Sequence, residues 1–197
     1  TQPNFPMAIG NFQDYREQNT TLEGLALYTR QDMELSQDNH PERLAALGVT
    51  AGFFELLGAK PLLGREFRRE DELPGNGSIV ILSHKLWERR FNSDPAIIGK
   101  SITLSGSPFT VVGVMSPGVQ HVGGEYRSTA HGESVDVWGP LEVRPQSGRG
   151  AHFCNAVGRL KTGVSIAQAD ADLNAIAERL AQQYPNTNRP WRIATKS

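Results

Sequence analysis

A long amphipathic helix near the C-terminus constrains the fold of this chain more than any other segment. Ser165 and Gln168 form a capping box, in which two side chains bond the free backbone groups where a helix begins. Apolar residues follow at helical spacing, and Tyr184-Pro185 ends the pattern. Because an apolar stripe must be covered, this helix requires a packing partner. The stripe consists of Ala169, Leu173, Ile176, Ala177 and Leu180.

Segments rich in β-branched and aromatic residues supply that partner. Residues 25–35 and 43–49 flank a turn at 37–41 and predict one hairpin. Residues 100–104 and 109–115 predict a second hairpin around a Ser-Gly-Ser-Pro turn. Further strands are predicted at 78–82, 135–138, 153–160 and 191–195. Helices and strands in this mixture indicate the α+β class.

Capping residues predict three shorter helices. Asn11 is interpreted as the cap of the first, and Thr50 as the cap of the second. Gly58 ends the second helix, since glycine adopts the left-handed conformation at a helix C-terminus without steric cost. Ser83 is interpreted as the cap of the third helix.

The charge balance argues against nucleic acid as a partner. The 197 residues carry 20 Lys and Arg against 21 Asp and Glu, a formal net charge of -1. A duplex-DNA binder needs a basic excess to displace counterions, so we expect no nucleic-acid partner. The one arginine-rich stretch, residues 65–72, interleaves its arginines with Glu66, Glu70, Asp71 and Glu72 and is interpreted as a solvated face.

The sequence predicts neither a membrane segment nor a leader within these residues. No window approaches the roughly 20 apolar residues of a membrane helix. The chain opens at Thr1 without the positive and apolar regions of a signal peptide. We therefore expect a piece of a longer protein, whose membrane anchors lie in flanking segments.

Motifs for catalysis are also missing. The five histidines form none of the HxH, HExxH or HxxEH spacings, and neither GxSxG nor a Walker A motif occurs. The single cysteine, Cys154, lies in a predicted strand and is interpreted as a small buried apolar residue. We expect no catalytic, cofactor-binding or metal-binding residues, and no enzymatic activity.

One metal-dependent alternative stays open. His121, Glu125 and His131 lie in the Gly/Ser/Pro-rich segment 117–149, where they could converge on a metal ion. Histidines in such loops are more often solvated, so we expect no specifically bound metal. Stoichiometric zinc or iron in protein purified without an affinity tag would contradict this prediction.

Several motifs resemble one family of bacterial envelope domains. Residues 49–58 (VTAGFFELLG) and 61–67 (PLLGREF) are similar to the segment VSxxFFxxLGxxPxxGRxF of MacB-like periplasmic core domains. Residues 12–19 (FQDYREQN) resemble the opening of the same domains. Residues 82–91 (LSHKLWERRF) resemble the subtype of orphan FtsX/MacB-type permeases that carry this domain in duplicate.

This resemblance implies an architecture and a location. It implies a porter-like β-α-β domain at 1–75 and 147–197, with a smaller Sabre-like α+β lobe inserted at 76–146. The chain would be the periplasmic loop between two helices of a permease in the bacterial inner membrane. Both chain ends should then leave the domain on one side, with residues 100–115 and the 117–149 loop far from them.

The resemblance also implies a function and partners. Such a domain is a non-catalytic part of an ABC transporter permease, as in efflux, and transmits motion driven by a cytoplasmic ABC ATPase. The resemblance further implies a periplasmic partner and a homodimer of the full-length protein. The resemblance names no functional residues in this chain. The alternative is a periplasmic solute-binding module, which a thermal-shift screen would detect because bound ligand stabilises by mass action.

Overall fold

The structure, a computed structural model, describes residues 6–37, 40–119, 134–144, 147–188 and 193. The strands are β1 (Met7–Ala8), β2 (Leu22–Gln37), β3 (His40–Val49), β4 (Pro61–Gly64), β5 (Ile79–Leu82), β6 (Ser101–Leu104), β7 (Ser107–Met115), β8 (Val137–Pro140) and β9 (His152–Leu160). The helices are α1 (Ile9–Gln18), α2 (Phe53–Leu56), α3 (His84–Phe91), α4 (Ile166–Gln183) and α5 (Pro185–Asn188), with short 3₁₀ helices at Arg69–Glu72 and Pro95–Ile97.

One mixed sheet contains all of these strands. Its order is β1-β9-β2-β3-β8-β5-β7-β4, and β6 lies off this path, paired with both β7 and β2. The pairing of Leu104 in β6 with Leu35 in β2 closes strands β2, β3, β8, β5, β7 and β6 into a ring. Ser105 strengthens this closure, because its N–H donates to the Glu34 carbonyl at 2.7 Å. The β3–β8 and β5–β7 pairs are parallel.

Strand β2 links two parts of the molecule. Its first half pairs with β9, and its second half pairs with β3 and β6. The ring side holds an apolar core to which α3 contributes Leu86, Trp87 and Phe91. On the β1-β9 side, α1 and α4 cover the sheet, and the predicted stripe of α4 packs with Tyr15 and Leu22. The α+β class predicted from the sequence is therefore confirmed.

Several local predictions are confirmed by hydrogen bonds. The Ser165 hydroxyl accepts from the N–H of Gln168 at 3.3 Å, and the Gln168 side chain bonds back to Ser165. The Ser83 hydroxyl accepts from the N–H of Leu86 at 3.1 Å and caps α3. Gly58 follows α2 with a left-handed φ of 67°. These features depend on neighbouring residues alone, so the sequence contains them in full.

Two predicted caps are wrong. Helix α1 begins at Ile9, directly after β1, and Asn11 lies inside it with its side chain buried in a tertiary hydrogen bond. Helix α2 begins at Phe53 after Gly52, while the Thr50 hydroxyl accepts from the N–H of Leu27 in β2 at 2.9 Å. In both cases the side chain that the local pattern predicts as a helix cap instead bonds a residue distant in sequence, Asn188 for Asn11 and Leu27 for Thr50.

Strand boundaries differ in detail from the prediction. Strand β4 (Pro61–Gly64) was not predicted, and β8 lies at Val137–Pro140 where the sequence indicates 135–138. The turn between β6 and β7 is only Ser105-Gly106, both with positive φ as a two-residue hairpin requires. The strand predicted at 191–195 lies outside the described residues, apart from Ile193.

The division into a lobe at 76–146 and a porter-like part at 1–75 and 147–197 stays a prediction. The structure adds that strands cross these boundaries within one sheet. β3 pairs with β8, and β4 pairs with β7. Residues from both segments also share an apolar cluster, in which Phe54 meets Trp138 edge to face at 5.3 Å between ring centroids.

Candidate functional site

Titratable groups of the described residues do not gather into a metal centre. Across residues 6–37, 40–119, 134–144 and 147–188, no three His, Cys, Asp or Glu side chains lie close enough to share an ion. His121, Glu125 and His131 lie outside the described residues, so the metal-dependent alternative stays untested.

Cys154 lies in β9 with its side chain fully buried. It packs in an apolar cluster with Phe12 and Leu27. Burial raises the pKa of the Cys154 thiol to about 12, so the thiolate is almost absent at neutral pH. A thiol of this kind is a poor nucleophile and fits the predicted structural role.

We expect Cys154 to resist thiol reagents while the chain is folded, because both burial and protonation oppose attack. Reaction with an aromatic disulfide reagent at pH 8 should proceed only as fast as the chain opens, and at least a hundredfold faster in concentrated denaturant. Equal rates under the two conditions would show that the thiol is accessible and activated.

The two ends of the described chain meet at a polar contact, here called the end junction. The Asn11 amide in α1 donates to the Asn188 side-chain oxygen in α5 at 3.0 Å, and Asn188 donates back at 3.2 Å. Both side chains are buried, so this reciprocal pair is sheltered from water. The junction thus joins residues separated by 177 positions in the sequence.

Arg149 completes the end junction from the segment before β9. The prediction that the 117–149 loop lies far from the chain ends is therefore wrong for its last residues. Its guanidinium donates to Asn11 at 3.0 Å and to the Asp14 carboxylate at 2.6 Å. It also lies over the Tyr184 ring, 3.9 Å from the centroid. One arginine therefore contacts α1 and the end of α4 through charge-assisted and cation–π interactions.

Gly10 allows the chain before β9 to approach α1 closely. A Cβ at this position would lie 2.3 Å from the Ser147 carbonyl oxygen, well inside van der Waals contact. The Gly10 N–H donates to the Gly148 carbonyl at 3.4 Å. Only glycine fits at position 10. The end junction therefore includes close backbone contact between α1 and the segment before β9, in addition to its side-chain hydrogen bonds.

Asp172 ties α4 to the connection between α1 and β2. Its carboxylate accepts the N–H of Thr20 at 2.7 Å and the hydroxyls of Thr20 and Thr21 at 3.1 and 2.9 Å. Burial favours a higher pKa for Asp172, but these hydrogen bonds outweigh it and hold the pKa below its usual value. Helices α1 and α4 are thus held together at both ends.

Replacing Asp172 by asparagine is expected to cost about 1 kcal/mol at pH 7, because the hydrogen bonds lose their charge. The lowered pKa means that this stability is present above the unfolded-state pKa of about 3.9 and is lost as pH falls through the folded-state pKa. The cost of Asp172→Asn should therefore shrink in acid. Urea unfolding at pH 7 and pH 3 measures it, with the exposed Glu178→Gln on the same helix as control.

An open cleft lies at the other end of α1. It has a volume of about 720 Å³, and its lining includes Arg16, Arg68, Arg69 and Arg159 together with Glu23 and Glu55. We call it the arginine cleft. Arg16 forms its inner wall and donates to the buried Glu72 carboxylate at 3.1 Å. Glu72 is 3% exposed, so the prediction of a solvated face over residues 65–72 is wrong at this position.

Glu72 is buried because three elements converge on it. Besides Arg16 of α1, its carboxylate accepts the N–H of Ala51 at 2.7 Å. Its backbone carbonyl accepts the N–H of Val143 at 2.9 Å. Arg65 and Asp71 form a second ion pair in the same segment at 2.6 Å. The ion pairs that Glu72 and Asp71 form therefore hold the wall of the cleft in position.

Comparison with known proteins identifies the family. The family of MacB-like periplasmic core domains matches residues 4–176. The chain belongs to this family. Its sequence motifs are thus those of periplasmic domains of ABC transporter permeases, as the resemblance implied. No curated protein matches the chain in sequence.

Solved structures of this kind share the fold. The periplasmic region of MacB from Actinobacillus actinomycetemcomitans is 16% identical, with a TM-score of 0.65 over 93% of this chain and 77% of that chain. The extracellular domain of the ABC-type transporter YknZ from Gram-positive bacteria is 18% identical, with a TM-score of 0.61 over 95% of this chain and 88% of that chain. Within the described residues, no helix has the length and apolarity needed to cross a membrane.

The sequence did not indicate the tertiary contacts that form the end junction. The end junction consists of Asn11, Arg149, Asn188 and their neighbours, none of which belongs to a recognised motif. The local pattern predicts Asn11 as a helix cap, whereas the structure places it inside α1 and bonds its side chain to Asn188. In this MacB-like domain, the contacts of the end junction therefore cannot be predicted from local sequence patterns.

Proposed function

We propose that this chain is a non-catalytic coupling module of a MacB/FtsX-type permease, on the periplasmic side of the bacterial inner membrane. In this role it passes motion driven by a cytoplasmic ABC ATPase to a partner or substrate outside the membrane. The observation that supports it best is the end junction, because a coupling module must receive displacement from its two ends as a rigid body.

The junction meets this requirement through several independent contacts. The Asn11–Asn188 pair, the Arg149–Asp14 ion pair and the Asp172 hydrogen bonds all join the first and last parts of the described chain. Met7 and Ile193 pack against one apolar cluster, so the two ends also lie on the same side. This proximity suits a loop that begins and ends at one membrane surface.

The proposal includes partners beyond this chain. Membrane helices flank the domain in the full-length permease, which binds the ATPase from the cytoplasm and pairs as a homodimer. A periplasmic partner engages the side of the domain away from the membrane. The two-lobe division belongs to the same proposal, with the β6–β7 hairpin of the inserted lobe distal. The last part of 76–146 is not distal, because Leu141 and Val143 pack with Met7 and Phe12 near the chain ends.

Energy transfer in the reconstituted permease tests the coupling. The full-length protein with its ATPase is placed in vesicles with acceptor-labelled lipids, and a donor dye is attached through Lys100→Cys, an exposed position. The buried Cys154 should remain unlabelled. ATP is expected to change the transfer efficiency, because the domain moves relative to the bilayer.

Matched insertions separate coupling from ATP hydrolysis. Eight Gly/Ser residues inserted between the chain and the segment that follows should abolish the ATP-dependent change while hydrolysis continues. The same insertion after Gly163, in the exposed turn before α4, should leave the change intact. A parent protein that hydrolyses ATP with no change in transfer would overturn the proposal.

A further inference from the structure

The arginine cleft has features that the coupling role does not require. Its lining carries four arginines and two glutamates, and Glu72 behind Arg16 leaves a net charge of one positive. Among the described residues, no carboxylate forms an ion pair with Arg68, Arg69 or Arg159. Asp71 attracts Arg68 at longer range, and the remaining excess of positive charge at the cleft favours the binding of a negative group.

Arg16 contributes a second, independent observation. Its Nε atom is buried and has no hydrogen-bond partner within the described structure, although its Nη1 atom bonds Glu72. A buried donor without an acceptor costs about 1–3 kcal/mol, so such atoms are uncommon in folded proteins. The Nε atom has almost no accessible surface, so a ligand oxygen in the cleft bonds it only when the Arg16 side chain shifts toward the ligand.

The surrounding backbone leaves room for a ligand. Gly24 and Gly52 both lie in the lining, but the Leu56 side chain already occupies the space beside Gly24, where a Cβ would lie 3.0 Å from Leu56 Cδ2. A Cβ on Gly52 would meet no atom within 4 Å, so the cleft is open at this point. Arg159 is held in place by donating to the Leu56 carbonyl.

We propose that the arginine cleft binds an oxyanion, a carboxylate or phosphate group carried by a ligand outside the membrane. Guanidinium groups bind both oxyanions through paired hydrogen bonds, and three separate elements supply them here. Arg16 comes from α1, Arg68 and Arg69 from the segment at the 3₁₀ helix, and Arg159 from the end of β9.

The arginine cleft lies at the opposite end of α1 from the end junction, so binding at the cleft is connected to the chain ends. Asn11 at the end junction and Asn19 at the cleft lie at opposite ends of α1, about 12 Å apart along the helix axis. A bound oxyanion therefore joins the far end of α1 to the 3₁₀ helix and β9. The ligand site and the chain ends are connected through a single rigid helix.

Titration of the 197-residue chain with inorganic phosphate and with citrate tests the proposal. Binding is followed by the amide NMR signals of Gly24, Ala51 and Gly52 at constant ionic strength, with chloride as the reference anion. We expect saturable shifts at these residues with one or both probes. The preferred probe distinguishes a phosphate from a carboxylate ligand.

Paired variants determine which arginines bind. Arg68→Gln with Arg69→Gln is expected to weaken binding at least tenfold, and both side chains are exposed, so folding should be unaffected. The control removes the same charge elsewhere, through Arg30→Gln with Arg43→Gln on the β2–β3 hairpin, where both arginines are exposed. Equal weakening by the two pairs, or no saturation with either probe, would overturn the proposal. Neither result bears on the coupling function.

Discussion

Replacing Gly64 by alanine is expected to destabilise the domain by about 4 kcal/mol. Gly64 ends β4 with a φ of 72°, and a Cβ there would lie 2.1 Å from the Val112 carbonyl oxygen in β7. The left-handed conformation alone costs about 1 kcal/mol for alanine, and overpacking against backbone adds about 3 kcal/mol. Urea unfolding followed by circular dichroism gives the change in free energy.

Gly58 provides the matched control. Its φ of 67° is nearly the same, but a Cβ there meets no atom within 4 Å. Gly58→Ala should therefore cost only the conformational part, about 1 kcal/mol. The difference between the two variants isolates the close approach of β4 to β7. If both cost the same, the strand pairing at Gly64 is looser than the structure shows.

Replacing Glu72 by alanine is expected to cost about 4 kcal/mol, because it leaves a buried charge without its partner. Arg16 would lose its carboxylate, and the Ala51 N–H would lose an acceptor at 2.7 Å. The melting temperature should fall by roughly 12 °C for a chain of this size. Thermal and urea unfolding measure the two quantities separately.

Two further variants identify the cause of that loss. Glu70→Ala removes an exposed carboxylate from the same 3₁₀ helix and should cost at most about 0.5 kcal/mol. Arg16→Met combined with Glu72→Leu replaces the buried pair by apolar side chains and should recover more than half of the stability. A double variant as unstable as Glu72→Ala would show that the charge imbalance is not responsible.

Family membership was accessible from the sequence because it depends on ordered glycines, prolines and aromatic residues. Gly58, Gly64 and the Phe53-Phe54 pair match the family segment VSxxFFxxLGxxPxxGRxF at the same spacing. Each has a local role in a turn or in the core. Neither site has such a signature. The end junction requires Asn11 to meet Asn188, and the arginine cleft requires Arg16 to meet Arg68, Arg69 and Arg159.

The segment 65–72 illustrates what the spacing of charges along the chain cannot predict. Residues 65–72 interleave basic and acidic side chains, which predicts a solvated face, yet Glu72 is buried against α1 and Ala51. Sequence spacing indicates which charges are neighbours along the chain. It contains no information about which of them another element covers.

The sequence by itself determined the helix caps at Ser83 and Ser165, the glycine turns and the apolar stripes of α3 and α4. These depend on hydrogen bonds and spacing within a few residues. Tertiary structure alone decided the ring closed by Leu35 and Leu104, the parallel pairing of β3 with β8, and the partners of Asn11 and Glu72. Each of these joins groups far apart in sequence, and their pairing follows from which surfaces meet when the whole chain folds.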